Sequence, residues 1–344
     1  FCMSGGVDSI SIISIASKIF NKQINGYTII NDDERYEEKE LVDFAVKDLG
    51  INHSSVRLDK ANFIEKLKKL ITCHDAPIYT ISYYIHSQLM KEISADGYKI
   101  SISGTGADEL FSGYYDHHNL YLATINNLNK LHQDSKTNWS KHIEKIVRNP
   151  FLKDPDLYIN DPSFRDHIYL NNNIFSDYST SGWKEEFIES NYNRDLLRNR
   201  MLNELFTETV PVILHEDDLN AMSYSLENRS PFLDKKLFEI AFSIPSKYLI
   251  RDGKAKSVLR DAMRNIAPTP IINERRKVGF NAPLLDLIDL KDNSTYEYIM
   301  EDSPIYELIK RDKISDLMEV DYLPNSLSKF FFSFINAKLF LDSD

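Results

Sequence analysis

The chain has 344 residues, which allows one to three domains, and its 42% hydrophobic and 27% charged residues are an ordinary balance for a soluble globular core. A formal net charge of -11 argues against a general nucleic-acid binder, whose footprint is a basic surface, while leaving room for a local basic pocket. Two cysteines, Cys2 and Cys73, give no disulfide framework and no Cys-x-x-Cys pair, which points to a cytoplasmic setting, and no apolar run approaches the ~18 residues of a membrane helix.

Phe1-Cys2-Met3 reads as a short strand that breaks into Ser4-Gly5-Gly6-Val7-Asp8-Ser9. A helix follows, with Ile12, Ile13, Ala16, Ile19 and Phe20 on one face. In a strand–glycine turn–helix unit the helix N-terminus offers free amides and a favourable dipole to an anion, and two glycines let the backbone approach it. Ser4 and Ser9 add hydroxyls, and Asp8 can hold a divalent cation that balances phosphate charge. A Ser- or Asp-capped turn with no ligand would explain the same residues. Neither a Gly-x-x-x-x-Gly-Lys-Ser/Thr loop nor a Gly-x-Gly-x-x-Gly fingerprint occurs here. The chain starts without Met, inside this first strand, which leads us to expect a preceding segment.

Strand-like and helix-like segments then alternate. Tyr27–Ile30 is a strand, and Glu37–Leu49 a helix with Leu41, Phe44, Ala45 and Leu49 on one side. His53–Leu58 is a second strand, followed by helical faces at Phe63, Leu67, Leu70 and Ile71, then at Ile85, Leu89 and Ile93, and a strand at Lys99–Ser103. This alternation predicts an α/β fold, a parallel sheet with helices on both faces, whose ligands bind beyond the carboxyl ends of the strands. The turns after Met3 and after Ser103 both belong at that edge. Residues 121–190, punctuated by Asn and Pro, read as variable helices and loops, and residues 191–344 as a regular helical part. The aromatic stretch Phe330–Leu341 reads as a terminal helix packed on the core.

Three further motifs carry polar chemistry. Ser103-Gly104-Thr105-Gly106-Ala107-Asp108-Glu109-Leu110-Phe111-Ser112-Gly113-Tyr114 follows a strand and brings a second carboxylate, Asp108, to the edge that holds Asp8. Two carboxylates with phosphate oxygens make a Mg²⁺ site. The third runs from Asp218 through Leu226-Glu227-Asn228-Arg229-Ser230-Pro231-Phe232-Leu233-Asp234. The fourth is Lys256-Ser257-Val258-Leu259-Arg260, followed by Arg275-Arg276-Lys277-Val278-Gly279-Phe280 and Pro283.

The first loop resembles the pyrophosphate loop of the N-type ATP pyrophosphatases. The four motifs in this order, over roughly residues 1 to 285, resemble the synthetase domain of the asparagine synthetases. That resemblance implies an adenine nucleotide alpha hydrolase-type (HUP-type, Rossmann-like) core over residues 1–120 with a large helical C-terminal part. It implies ATP and Mg²⁺ as cofactors, adenylation of a small-molecule carboxylate, and displacement of AMP by ammonia. In full-length members a glutaminase domain supplies the ammonia; that domain is missing here, and a homodimer is left open. By the same resemblance Met3, Ser4, Gly5, Gly6, Asp8 and Ser9 hold pyrophosphate, Asp8 and Asp108 bind Mg²⁺, and Ile29, Ser103 and Gly104 border adenine and ribose. Lys256 contacts the phosphates during adenylation. Glu109 and Asp218 belong to the substrate pocket or to the scaffold. Glu227, Arg229 and Asp234 are open to the same two readings, with a buried ion-pair network favoured for Arg229 and Asp234. Thr105 stands where these enzymes usually carry Glu, near the acyl group and the incoming ammonia, so the acceptor is open: aspartate, or another carboxylate such as a sugar uronic acid. A catalytically silent nucleotide-binding module is the competing reading, and joint retention of Asp8, Asp108 and Lys256 argues against it.

Overall fold

A computed structural model describes residues 1–30, 38–168, 175–182, 187–276, 284–320 and 323–343. Strands β1 (Asn25–Ile30) and β2 (Asn52–Arg57) pair in parallel, from Asn25↔Asn52 to Ile30↔Arg57. Strands β3 (Ile100–Ile102) and β4 (Glu227–Arg229) form a second parallel pair. The segment Phe1–Met3 lies between the pairs. It donates Met3 N–H to Tyr27 O and accepts Tyr27 N–H on one side, and on the other donates Cys2 N–H to Ile102 O, all at 2.8–2.9 Å. Across the molecule the order is therefore β2, β1, residues 1–3, β3, β4. The chain winds outwards to β2 and then crosses back to β3, so the order reverses at residues 1–3. A crevice opens beyond the carboxyl ends of the strands that flank such a reversal. Both glycine-rich loops leave from these two strands.

The connections are helical: α1 (Val7–Ser14), α2 (Lys39–Leu49), α3 (Phe63–His74), α4 (Ile81–Ala95) and α5 (Ala107–Phe111). Their phases differ from the sequence reading in two places. The first helix passes into a π-helical turn at Ile15–Ile19, which rotates the following residues. Ile10 and Ile13 are buried, whereas Ile19 and Phe20 face solvent. In α2 the buried stripe is Val42, Ala45 and Leu49, and Phe44 is exposed.

Helices α6 (Tyr115–Thr124), α7 (Asn129–His142) and α8 (Leu157–Asn160) occupy the pattern-poor region. They bury Leu122, Trp139, Ile143, Val147 and Leu152 in a cluster of their own, so this region carries more structure than its sequence suggests. Beyond it lie α9 (Leu196–Asn203), α10 (Thr209–Met222), α11 (Lys235–Ser243), α12 (Ser257–Ala262), α13 (Thr269–Asn273), α14 (Asn293–Met300), α15 (Arg311–Met318) and α16 (Asn325–Leu341). The expected terminal helix is α16, whose Phe331, Ile335 and Leu339 pack with Leu67, Ile71 and Tyr84. A second cluster joins Met3, Val7, Ile10 and Ile13 to Ala107, Leu110 and Phe111, to Leu259 of α12 and to Met263 just after it. It lies under both loops and fixes three distant segments against one another.

The polar framework corrects one expectation. Glu227 and Arg229 are not buried: they form a 2.8 Å pair at the edge strand β4, with side chains 62% and 56% exposed. Asp234 is exposed too and caps α11, accepting Lys236 N–H at 2.9 Å and Leu237 N–H at 3.1 Å. An edge strand keeps water on its open side, so nothing encloses these charges. The buried network lies elsewhere. Arg200 Nε donates to Glu204 Oε1 at 3.1 Å, and its Nη atoms reach Glu189 at 2.9 Å and Glu208 at 2.7 Å. Glu204 Oε2 holds His117 Nε2 at 2.7 Å. Asp116, His117 and Glu204 offer ligand atoms within 4.8 Å of one another. The Arg200 guanidinium, 3.7 Å from Asp116, already supplies the cation there. Arg200→Met should lower the free energy of unfolding by about 3–5 kcal/mol, because it strands several buried carboxylates. Urea denaturation should show this as a lower midpoint, while Arg229→Met leaves the midpoint unchanged; equal effects would contradict the correction.

Candidate active site

The loop after Met3 satisfies two of its own donors. Ser4 N–H donates to Ser9 Oγ at 3.1 Å, and Gly6 N–H to Ser4 Oγ at 3.2 Å. Gly5 N–H donates to Glu38 Oε2 at 3.1 Å, so a carboxylate from the start of α2 sits on the amide of the loop. Burial, offset in part by that amide, pushes the Glu38 carboxyl up to about 7, with Asp8 adding to the rise. The sequence reading missed Glu38, because nothing local in the sequence ties the start of α2 to a loop 33 residues earlier.

The second loop lies against the first. A Cβ at Gly104 would stand 3.1 Å from both Asp8 Cβ and Ser9 N, a tighter contact than side chains ordinarily make, so glycine eases this approach. Ser103 Oγ donates to Thr105 Oγ1 at 3.1 Å and lies 3.2 Å from Ser230 Oγ, which makes the side beside Thr105 a cluster of neutral hydroxyls. Helix α5 then separates its two acids. Asp108 points towards Lys256, whereas Glu109 is buried and accepts from Tyr114 Oη. Glu109 is tied through Tyr114 and His117 to the buried network.

Lys256 completes the arrangement. Its Nζ lies 2.5 Å from Asp8 Oδ2 and 2.6 Å from Asp108 Oδ1, and its side chain is 7% exposed. Its backbone is left-handed, φ 57°, and its N–H donates to Ser112 O at 3.3 Å. A non-glycine residue held there is constrained by its surroundings. Gly113 provides the room: a Cβ on it would fall 1.6 Å from Asp108 Oδ1 and 2.3 Å from Lys256 Cε. Burial alone lowers the Lys256 pKa, but Asp108 and Asp8 together outweigh it and raise the pKa, so the ammonium stays charged.

Of the other residues singled out from sequence, Met3 is buried beneath the loop and Ile29 lies in β1, two strands from β3. Asp218 is exposed on α10, and Glu227, Arg229 and Asp234 stay outside the Asp8–Asp108–Lys256 cluster. Lys277, Val278, Gly279, Phe280 and Pro283 lie outside the described residues.

The donor set fits both a cation and an anion. Asp8 and Asp108 converge on one ammonium with oxygen ligands of the type Mg²⁺ prefers. The Gly5 amide already holds a carboxylate oxygen. Glu38 also sets a pH dependence. Its folded pKa lies above the ordinary carboxylate value, so its stability contribution is full below that value and is lost as pH rises towards about 7. Glu38→Gln should raise the melting temperature relative to the unsubstituted chain at pH 8, with the gap narrowing towards pH 5; a gap independent of pH would contradict this environment.

The asparagine synthase family model matches residues 1–329. A glutamine-hydrolysing asparagine synthetase 1 of Bacillus subtilis strain 168 is 26% identical over 340 residues, covering 92% of this chain and 51% of its own length. Asparagine synthetase 3 of the same strain, also named as glutamine-hydrolysing, is 24% identical over 293 residues, covering 80% of this chain and 43% of its own. The chain thus spans about half the length of the curated relatives it matches. With a family match over nearly its whole length and the conjunction of Asp8, Asp108 and Lys256 in the fold, the chain belongs to the asparagine synthase family.

Proposed function

We propose that this chain catalyses ATP-dependent amidation of a carboxylate. The observation that carries the reading is the seating of Lys256 Nζ between Asp8 and Asp108 at the sheet edge where two glycine loops meet. In the first step a carboxylate oxygen bonds to the α-phosphorus of ATP, and the bond to the bridging oxygen breaks to release pyrophosphate. In the second, ammonia nitrogen bonds to the acyl carbon, the C–O bond to AMP breaks, and the nitrogen loses a proton. Residues Ser4–Ser9 cradle the pyrophosphate portion, and Ile29, Ser103 and Gly104 border the nucleoside. Asp8 and Asp108 would hold Mg²⁺, which when bound neutralises phosphate charge. Lys256 places a fixed ammonium beside the charge that develops on the α-phosphate. Residues 1–120 then act as the nucleotide-binding core, 121–190 as a variable region and 191–344 as the helical part that brings in Lys256.

Aspartate is the acceptor the family name suggests. The neutral Ser103–Thr105–Ser230 cluster favours a second reading, another carboxylate such as a sugar uronic acid. The nitrogen enters as ammonia, which a glutamine-hydrolysing unit of the kind named in the relatives would supply. Burial pushes the Cys2 thiol up to about 12, so Cys2 is not the thiolate that glutamine hydrolysis needs.

Asp8→Asn should abolish carboxylate-dependent pyrophosphate release with an unchanged circular dichroism spectrum; retained turnover would refute the assignment. Lys256→Ala should cut kcat by ~10²-fold or more, the scale of losing one electrostatic donor, with little change in the KM for ATP. Normal kcat with only a raised KM would assign Lys256 to ground-state binding. With ATP, Mg²⁺ and a competent carboxylate, this chain should form amide from ammonium and not from glutamine; equal rates would overturn the nitrogen-donor assignment.

A further inference from the structure

A cavity of about 390 Å³ lies on the outer side of the turn that carries Lys256. Its lining includes Lys254 and Ser257 but not Lys256, and no residue of Ser4–Ser9 or Ser103–Gly106, so it is separate from the nucleotide loops. Arg251 and Lys254 form the ends of a tight hairpin, with Arg251 N–H to Lys254 O at 3.1 Å and the reverse bond at 2.9 Å. The two residues between them, Asp252 and Gly253, have φ of 54° and 68°, the positive pair that a two-residue hairpin turn requires.

The charge balance of this cavity opposes that of the whole chain. Arg251, Lys254, Arg260 and Arg264 line it against only Asp252 and Asp261. One carboxylate, Asp261, serves two guanidiniums, Arg251 at 2.5 Å and Arg264 at 2.6 Å. The remaining cations have neutral hydrogen-bond partners. Lys254 Nζ donates to Asn273 Oδ1 at 2.7 Å, and Arg260 to the backbone carbonyls of Ala255 at 2.8 Å and Ile272 at 2.7 Å. Arg275 Nε donates to Asp252 O at 3.4 Å. Among the described residues, none of Lys254, Arg260 and Arg275 makes an ion pair. Burial, and then crowding by Arg275 and Arg260, lowers the Lys254 pKa. Four cations against two carboxylates in the lining, in a chain of net charge -11, leave a local positive excess.

We propose that this cavity is an anion site that takes a phosphoryl group, carried by free phosphate or by a small phosphorylated molecule. Arg251, Lys254, Arg260 and Arg264 line it and would meet the phosphoryl oxygens with guanidinium groups and an ammonium. A bound anion would tie the hairpin to α12 and α13, and so brace the backbone two residues from Lys256. The site does not depend on the assignment of the nucleotide loop, so each can fail alone.

The test is calorimetric titration of the full chain at low ionic strength with inorganic phosphate and, separately, with glucose 1-phosphate. The expected result is one saturable site, weakened at least tenfold in Lys254→Glu and more mildly in Lys254→Gln, which keeps the hairpin should the charge reversal unfold the chain. Asp8→Asn, a change outside the cavity lining, should not abolish it. Tighter binding of glucose 1-phosphate assigns an organic phosphate, and tighter binding of inorganic phosphate assigns the free ion; either result supports the site. Equal affinity in the Lys254 variants, binding abolished by Asp8→Asn, or a signal matched by chloride at the same ionic strength would overturn it.

Discussion

The structure turns on one buried ammonium between two carboxylates. Lys256 comes from a helix start far along the chain, Asp8 from the first loop and Asp108 from the second, and their atoms meet at 2.5 and 2.6 Å. Removing three charges from water costs several kcal/mol per ion unless geometry and mutual attraction offset it. The surrounding residues supply that geometry: a left-handed backbone at Lys256, a glycine at 113 with no Cβ to intrude, and a glycine at 104 that lets the loops touch. Without the ammonium the two carboxylates would repel each other, so the site is built to receive positive charge. On the other side of the same loop Glu38 lies on the Gly5 amide, which marks that N–H as a donor an oxygen acceptor can reach.

The sheet and cores serve this convergence. Reversal of strand order at residues 1–3 places the two loops side by side, and the cluster under them locks α1, α5 and α12 to one another. Behind α5, Glu109 and Tyr114 lead to His117, Glu204 and Arg200, so the short helix that carries Asp108 is held from its buried side by a charged network. In the helical C-terminal part, α16 seals a separate apolar core against α3 and α4 and does not touch this cluster.

Much of this was legible in the sequence because it is local. A strand, two glycines and a capped helix are consecutive, and the period of apolar residues marks helices directly. Asp8, Asp108 and Lys256 could be named because each sits in a contiguous motif. Partnerships between segments were not legible. Glu38 reaches Gly5 across the sheet, and Arg200 gathers acids from three parts of the chain, with no periodicity to announce either. Arg229 and Asp234 differ from the reading for the same reason: burial depends on what packs beyond β4 and the following helix start, and composition does not tell. The exposed Phe20 follows from a π-helical turn, which shifts the helical phase without any distinctive residue.

The central claim is that the carboxylate attacks the α-phosphorus of ATP beside Lys256. It is tested most directly by following oxygen. A competent carboxylate labelled with ¹⁸O in both positions would be turned over with ATP, Mg²⁺ and ammonium, and the nucleotide product analysed by mass spectrometry. Adenylation followed by displacement leaves the former carboxylate oxygen on phosphorus, so one ¹⁸O per turnover should appear in AMP and none in pyrophosphate. Label in inorganic phosphate with ADP as the nucleotide product would mean attack at the γ-phosphorus and would contradict the account.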